Sequence, residues 1–292
     1  MGLFPLLLLL AADDAGEPLA KKMLPIYVAE AKEYTISVES APEKRLDLKQ
    51  EPVFEWSNPT RAGGQQGVVF VWLRDSRPAA LGCIFSASEG PGARRIVHEL
   101  HALDSEKLLI KRDGFNQWKP QAGLKRAEVP GAGVPADAPG SRGLQLRQIA
   151  REFSGHTVGA GEKKWDLRTL PTPLYRYPLA KTGVVDGALF GMVTEAGTDP
   201  EALLIIEAKV VDGKARWEFA CGRFTDWELH VYHKEKDVFT SNPQQSHLFR
   251  NDKEHLYRIY PDKIVTLEGK TIARIRESDT KPYGEVVPVS DK

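Results

Sequence analysis

Two histidines and a glutamate fall close together in Ile96-Val97-His98-Glu99-Leu100-His101-Ala102-Leu103. Such residues can ligate a metal or move a proton. A zinc-binding HExxH motif needs its histidines four positions apart on a helix. Here they are three apart, in a stretch that reads as strand. Side chains on a strand alternate between faces. His98 then shares a face with Ile96 and Leu100, while Glu99 shares the opposite face with His101. The histidines point apart, so no shared metal site is expected. What remains is a Glu99–His101 pair, with Asp104 nearby, that could serve general acid–base hydrolysis if it lies beside a pocket. The competing reading is an ion pair that only supports the fold, since such pairs perturb histidine equally well.

The other candidates are weaker in chemistry. His230 and His233 alternate faces on a second strand-like run, read as a polar edge. Ser154-Gly155-His156 puts a serine near a histidine, but a triad is made by geometry, not adjacency. No nucleophile elbow, P-loop, dinucleotide fingerprint or EF-hand loop occurs in the sequence. No cofactor is therefore assigned. Cys83 and Cys221 sit in apolar runs and are expected as buried free thiols.

The six tryptophans offer a different chemistry. Trp56, Trp72, Trp118 and Trp227 would suit a sugar, peptide or lipid if they lined a groove. Core packing is the alternative for each of them, as for Trp165 and Trp217.

The elements that must position these residues recur. Ala31-Lys32-Glu33-Tyr34 resembles Ala150-Arg151-Glu152-Phe153, and Glu43 to Leu48 resembles Glu162 to Leu167. Further on, Pro52-Val53-Phe54-Glu55-Trp56 lines up with Pro173-Leu174-Tyr175-Arg176-Tyr177, and Gly67 to Phe70 with Gly187 to Phe190. His98-Glu99-Leu100 lines up with Trp217-Glu218-Phe219. The matches are collinear, at an offset that drifts only from 119 to 122. They predict a tandem duplication of a helix-plus-β-meander unit of about 120 residues. The expected class is α+β, mainly antiparallel β, because short turns such as Asp75-Ser76-Arg77-Pro78 cannot carry parallel crossovers. Gly67–Arg74 and Glu201–Val211 are nearly continuous apolar runs, as strands buried on both faces would be.

The first unit is expected over 17–116 and the second over 144–243. Between them, 117–143 is rich in Gly, Pro and Ala and reads as a linker. The tail, 244–292, contains a hairpin signal at Ile264–Leu267 and Thr271–Arg274 and is expected to extend the second unit. Residues 1–15, with five consecutive leucines, read as a signal peptide and predict a secreted or periplasmic protein. No stretch is long enough to span a membrane as a helix, so any membrane association would be peripheral. With 40 basic and 40 acidic residues in 292, the chain lacks the basic stripe of a nucleic-acid binder.

The run Glu51 to Pro59, with Leu170 to Tyr177 and Gly187 to Phe190, resembles a family of uncharacterised bacterial proteins predicted to be exported. The resemblance covers most of the chain. It implies export and transfers no activity or catalytic residue. Three readings stand: a non-catalytic exported protein that binds a ligand or an envelope protein in a cleft between the repeats, a hydrolase using Glu99 and His101, or a structural scaffold.

Overall fold

The computed structural model describes residues 18–61, 63–112, 115–121, 123–178, 183–243, 255–276, 278, 281 and 284–289. The leader at 1–15 lies outside the described residues. Helix α1 (Leu19–Lys32) is followed by β1 (Thr35–Val38), β2 (Ala41–Arg45), β3 (Asp47–Leu48), β4 (Phe54–Asn58), β5 (Gln65–Arg74), β6 (Arg77–Ser88), β7 (Ala93–Ala102), β8 (Leu108–Arg112) and β9 (Phe115–Trp118). A two-residue strand, β10 (Ala127–Glu128), precedes helix α2 (Pro139–Ala150). After it come β11 (Phe153–Val158), β12 (Lys164–Thr169), β13 (Tyr175–Tyr177), β14 (Val184–Thr194), β15 (Pro200–Val211), β16 (Lys214–Arg223), β17 (Glu228–His233) and β18 (Lys236–Ser241). The chain closes with β19 (Tyr257–Thr266), β20 (Thr271–Arg276) and β21 (Glu285–Pro288).

The fold is mainly antiparallel β. Among the described residues the strands form three sheets. One runs β21-β20-β19-β7-β6-β5-β3, with β4 also on β5. A second runs β10-β16-β15-β14-β12-β11-β17-β18, with β13 also on β14. The small third sheet is β2-β1-β8-β9. Two-residue turns join several hairpins. Asp75 and Ser76, Asp212 and Gly213, and Lys234 and Glu235 all take positive φ. That backbone twist matches the twist of the flanking strands.

Burial follows the apolar pattern. Val68, Phe70 and Trp72 on β5 pack with Met23, Tyr27 and Ala31 of α1. Val69 and Val71, on the opposite face, pack with Leu189, Leu203 and Ile205 of the second sheet. Ala188, Phe190, Leu204 and Ile206 face Leu146, Ile149 and Ala150 of α2. The order of layers is therefore helix, sheet, sheet, helix. Both long apolar strands are buried on both faces, which removes the alternation a half-exposed strand would show.

Three local expectations change. The 117–143 stretch is not only linker: β10 lies in it and pairs with β16 through Ala127↔Phe219 and Glu128↔Glu218. Helix α2 also starts within it, at Pro139, a residue whose missing N–H costs nothing at a helix's first position. The tail hairpin does not extend the second unit, because β19 pairs with β7. The edge of β16 is taken by β10, whereas the edge of β7 is open to the returning chain. Finally, β17 is no edge strand, since β11 and β18 flank it.

Candidate functional site

Where the two large sheets face each other, apolar side chains fill the middle and leave a cavity of ≈ 380 Å³ toward one end. Seven segments reach it: Trp56 on β4 with Arg61 in the loop after it, Gln65 at the start of β5, Cys83 and Phe85 on β6, Arg95, Val97 and Glu99 on β7, Asp199 to Glu201 at the head of β15, Phe224 to Trp227 after β16, and Tyr257, Ile259, Tyr260 and Pro261 on β19. Strand alternation accounts for much of this. Odd-numbered positions of β6 and β7 point between the sheets, and the pairing Cys83↔Glu99 sets the two side by side. The return of β19 along β7 then brings Tyr257 beside them.

Four carboxyl groups line the space: Glu99, Asp199, Glu201 and Asp226. Arg61 serves two of them, donating from Nη1 to Asp199 Oδ2 at 2.8 Å and from Nη2 to Glu201 Oε1 at 2.7 Å. Its guanidinium lies over the Trp227 ring, 4.5 Å from the centroid. Asn58 adds a bond to Asp199 at 3.1 Å. These contacts clamp the β4–β5 loop onto the β14–β15 loop.

Glu99 is held differently. Its Oε1 accepts the Tyr257 hydroxyl at 2.6 Å. Burial pushes its pKa well above the carboxylate range, and the nearby Glu201, Asp226 and Asp199 add to the rise. Burial, with Asp199 alongside, pushes Glu201 up to about 7 against the pull of Arg61. Asp226 is also raised, by burial. Burying a carboxylate without full compensation favours its neutral form, and the cavity collects three such groups.

Glu99 and His101 do share a face of β7, but their surroundings separate them. Glu99 lines the large cavity. His101 lines a second, smaller one of ≈ 190 Å³ with Leu124, Gly222 and Phe239. Tyr257 borders both, bonded to Glu99 and with its ring 6.4 Å from that of His101. His101 Nδ1 lies 2.7 Å from the Ala102 carbonyl oxygen, and Nε2 occupies room that a side chain at Gly222 would take. Burial, with the charge of Arg223 adding to it, lowers the His101 pKa to about 4. Asp104 lies elsewhere, paired with Arg74 at 2.9 Å.

The tryptophans divide likewise. Trp56 and Trp227 line the cavity. Trp56 donates its indole N–H to Cys83 Sγ at 3.1 Å and packs against Phe85. Trp72 and Trp118 lie on the far side of the first sheet, in the core beneath α1. They are packing residues. Cys83 and Cys221 are free and buried.

His98 belongs to the α1 side. Its Nδ1 is 2.9 Å from the Tyr34 hydroxyl, and its ring stacks on Tyr260. Glu30, His98 and Asp262 bring potential ligand atoms together. Arg112 already bonds both carboxylates, and Lys263 pairs with Glu30. The cluster is thus an ion-pair network that ties α1 to β8 and β19.

Arg61, Asp199, Glu201, Asp226 and Tyr257 were not singled out as site residues from sequence. One signal was present: a glutamate inside the apolar run of β15 has to find a partner or an opening. No protein-family model, no curated protein and no solved structure matches this chain.

Proposed function

We propose that this chain is a non-catalytic binding protein whose ligand occupies the cavity between the two large sheets. The cavity itself carries the reading. Its ≈ 380 Å³ is of the size that takes small organic ligands, and it combines apolar walls with a few converging polar groups. Trp56, Phe85, Phe224 and Tyr257 supply the apolar surface, and the carboxyl groups supply orientation. Binding fits better than hydrolysis by Glu99 and His101, because each of those groups opens to a different cavity.

The proposal includes the origin of the cavity at the contact of two duplicated units. In support, α1 and α2 each precede strands with matching partners. The pairs β1–β8, β5–β6 and β6–β7 have counterparts in β11–β17, β14–β15 and β15–β16. The apolar leader and the resemblance to exported proteins support a secreted or periplasmic location, where the ligand is a diffusible small molecule.

The test is titration of the full chain with neutral naphthalene and indole probes, followed by tryptophan fluorescence and by calorimetry. Binding to the wild type is expected, with loss in Val97→Phe, which fills the cavity, at an unchanged unfolding midpoint. Absence of binding by every probe, or equal binding by Val97→Phe, would overturn the proposal.

A further inference from the structure

We infer that the cavity takes a small organic cation, an apolar body bearing a protonated amine, whose ammonium group docks against Glu99 and Asp226. This rests on the cavity being a ligand site and adds the chemistry of the ligand. Glu99 is only 7% exposed, yet it lines the cavity. Tyr257 occupies its Oε1. Among the described residues, Oε2 has no hydrogen-bond partner, and neither Glu99 nor Asp226 has an ion-pair partner.

The cations nearest these two carboxyls bond other groups, although the Arg223 charge acts on both and Arg95 Nε is buried without a hydrogen-bond partner among the described residues. Arg61, from the β4–β5 loop, is taken by Asp199 and Glu201. Arg95, on β7, pairs with Glu89 at 2.6 Å. Arg223, at the end of β16, donates to the carbonyls of Thr225, Trp227 and Asn242 and to Ser241 Oγ. From β6 the titratable neighbour is the Cys83 thiol, and from β19 they are the Tyr257 and Tyr260 phenols. Asp199 and Glu201, at the head of β15, add negative charge. Among the described residues no ion pair reaches Glu99 or Asp226, and both border the empty volume.

A bound ammonium brings a positive charge there and donates to the free Glu99 oxygen, and charge-assisted bonds of this kind are the stronger ones. The apolar body lies against Trp56, Phe224 and Tyr257. An anion would meet four carboxyl groups, and a neutral ligand would leave the carboxyls uncompensated. Because burial and neighbouring carboxylates favour the protonated form of Glu99, arrival of the cation displaces a proton. Affinity for it therefore rises with pH.

Three matched probes test this on the full chain by calorimetry: naphthylmethylammonium, naphthylmethanol and naphthoate. At about pH 8 the ammonium should bind at least roughly tenfold more tightly than the alcohol, with no binding of naphthoate. The preference should shrink at about pH 5, as the carboxyls keep their protons. Glu99→Gln has the shape of the protonated acid and retains an acceptor for Tyr257. It should cut the preference for the ammonium over the alcohol to about threefold or less. Equal binding of alcohol and ammonium, binding of naphthoate, or an unchanged preference in Glu99→Gln overturns the inference while leaving the cavity reading intact. Failure of all three probes overturns both.

Discussion

Glu201 and Glu207 lie six residues apart on β15, on the same face, each aimed at the opposing sheet. Both side chains are almost fully buried. Roughly 20 Å of strand separates them, and their electrostatics are opposite. Glu207 receives two hydrogen bonds from Arg77, at 2.7 and 2.6 Å, one from Arg126 at 3.0 Å and one from the Tyr177 hydroxyl at 2.8 Å. Burial would raise its pKa, but the bonds from Arg77 and the charges of Arg126 and Arg77 hold it below the ordinary value. Glu201 shares one arginine with Asp199 and is pushed up to about 7. Burial alone therefore does not set the charge of an interior carboxyl. The count of partners does. One end of the inter-sheet space is a closed, balanced joint. The other gathers carboxyls with few partners, pushed toward their neutral forms, beside empty volume, the arrangement expected where a ligand completes the structure.

The most severe way to break this contrast is to open the balanced end. Glu207→Ala strands Arg77, Arg126 and Tyr177 in the interior without their shared acceptor. Removing one partner of a buried ion pair costs about 3–5 kcal/mol. Denaturant unfolding should register a loss of that size. A loss within the range of ordinary surface substitutions would mean that the joint is solvated.

Removing Arg61, the arginine that bonds Asp199 and Glu201 at the open end, should cost less. Arg61→Ala leaves Asp199 and Glu201 without their cation, but both line the cavity, so water and protons can replace it. The expected loss is roughly 1–3 kcal/mol, the range for an unsatisfied buried polar group. It should be smaller at acidic pH, where Glu201 is protonated. A loss equal to that of Glu207→Ala would erase the distinction between the ends.

The contrast was only partly legible in the sequence. The helices, the long strands and their antiparallel order follow from apolar runs and turn residues that local physics reads directly. Which face a residue joins on a strand buried on both sides cannot be read that way. Trp72 and Trp56 look alike in sequence, yet one packs under α1 and the other lines the cavity. The alternation rule did assign Glu99 and His101 to one face. It could not supply Tyr257, which arrives from a strand 158 residues away and separates them. β19 returns to β7 while β10 covers the edge of β16, and a two-residue strand in a Gly- and Pro-rich stretch carries almost no local signal.

Glu201→Gln should have the smallest effect at acidic pH and the most informative one across pH. Its folded pKa of about 7 exceeds the ordinary value of 4.5. Below 4.5 the group is protonated in the folded and unfolded chains alike, and its contribution to stability is fully present. As pH rises toward 7 the unfolded chain releases the proton while the folded chain retains it, so stability is lost across that window and levels off above it. Glu207, held below its ordinary value, acts in reverse: its contribution is present above that value and is lost as pH falls. Gln mimics the protonated acid, so Glu201→Gln should match the wild type to within about 0.5 kcal/mol near pH 4. It should then gain on the wild type steadily to pH 8. Denaturant unfolding at both pH values measures the gap. Parallel profiles for the two proteins would show that Glu201 is ionised throughout, and the two glutamates of β15 would then be alike.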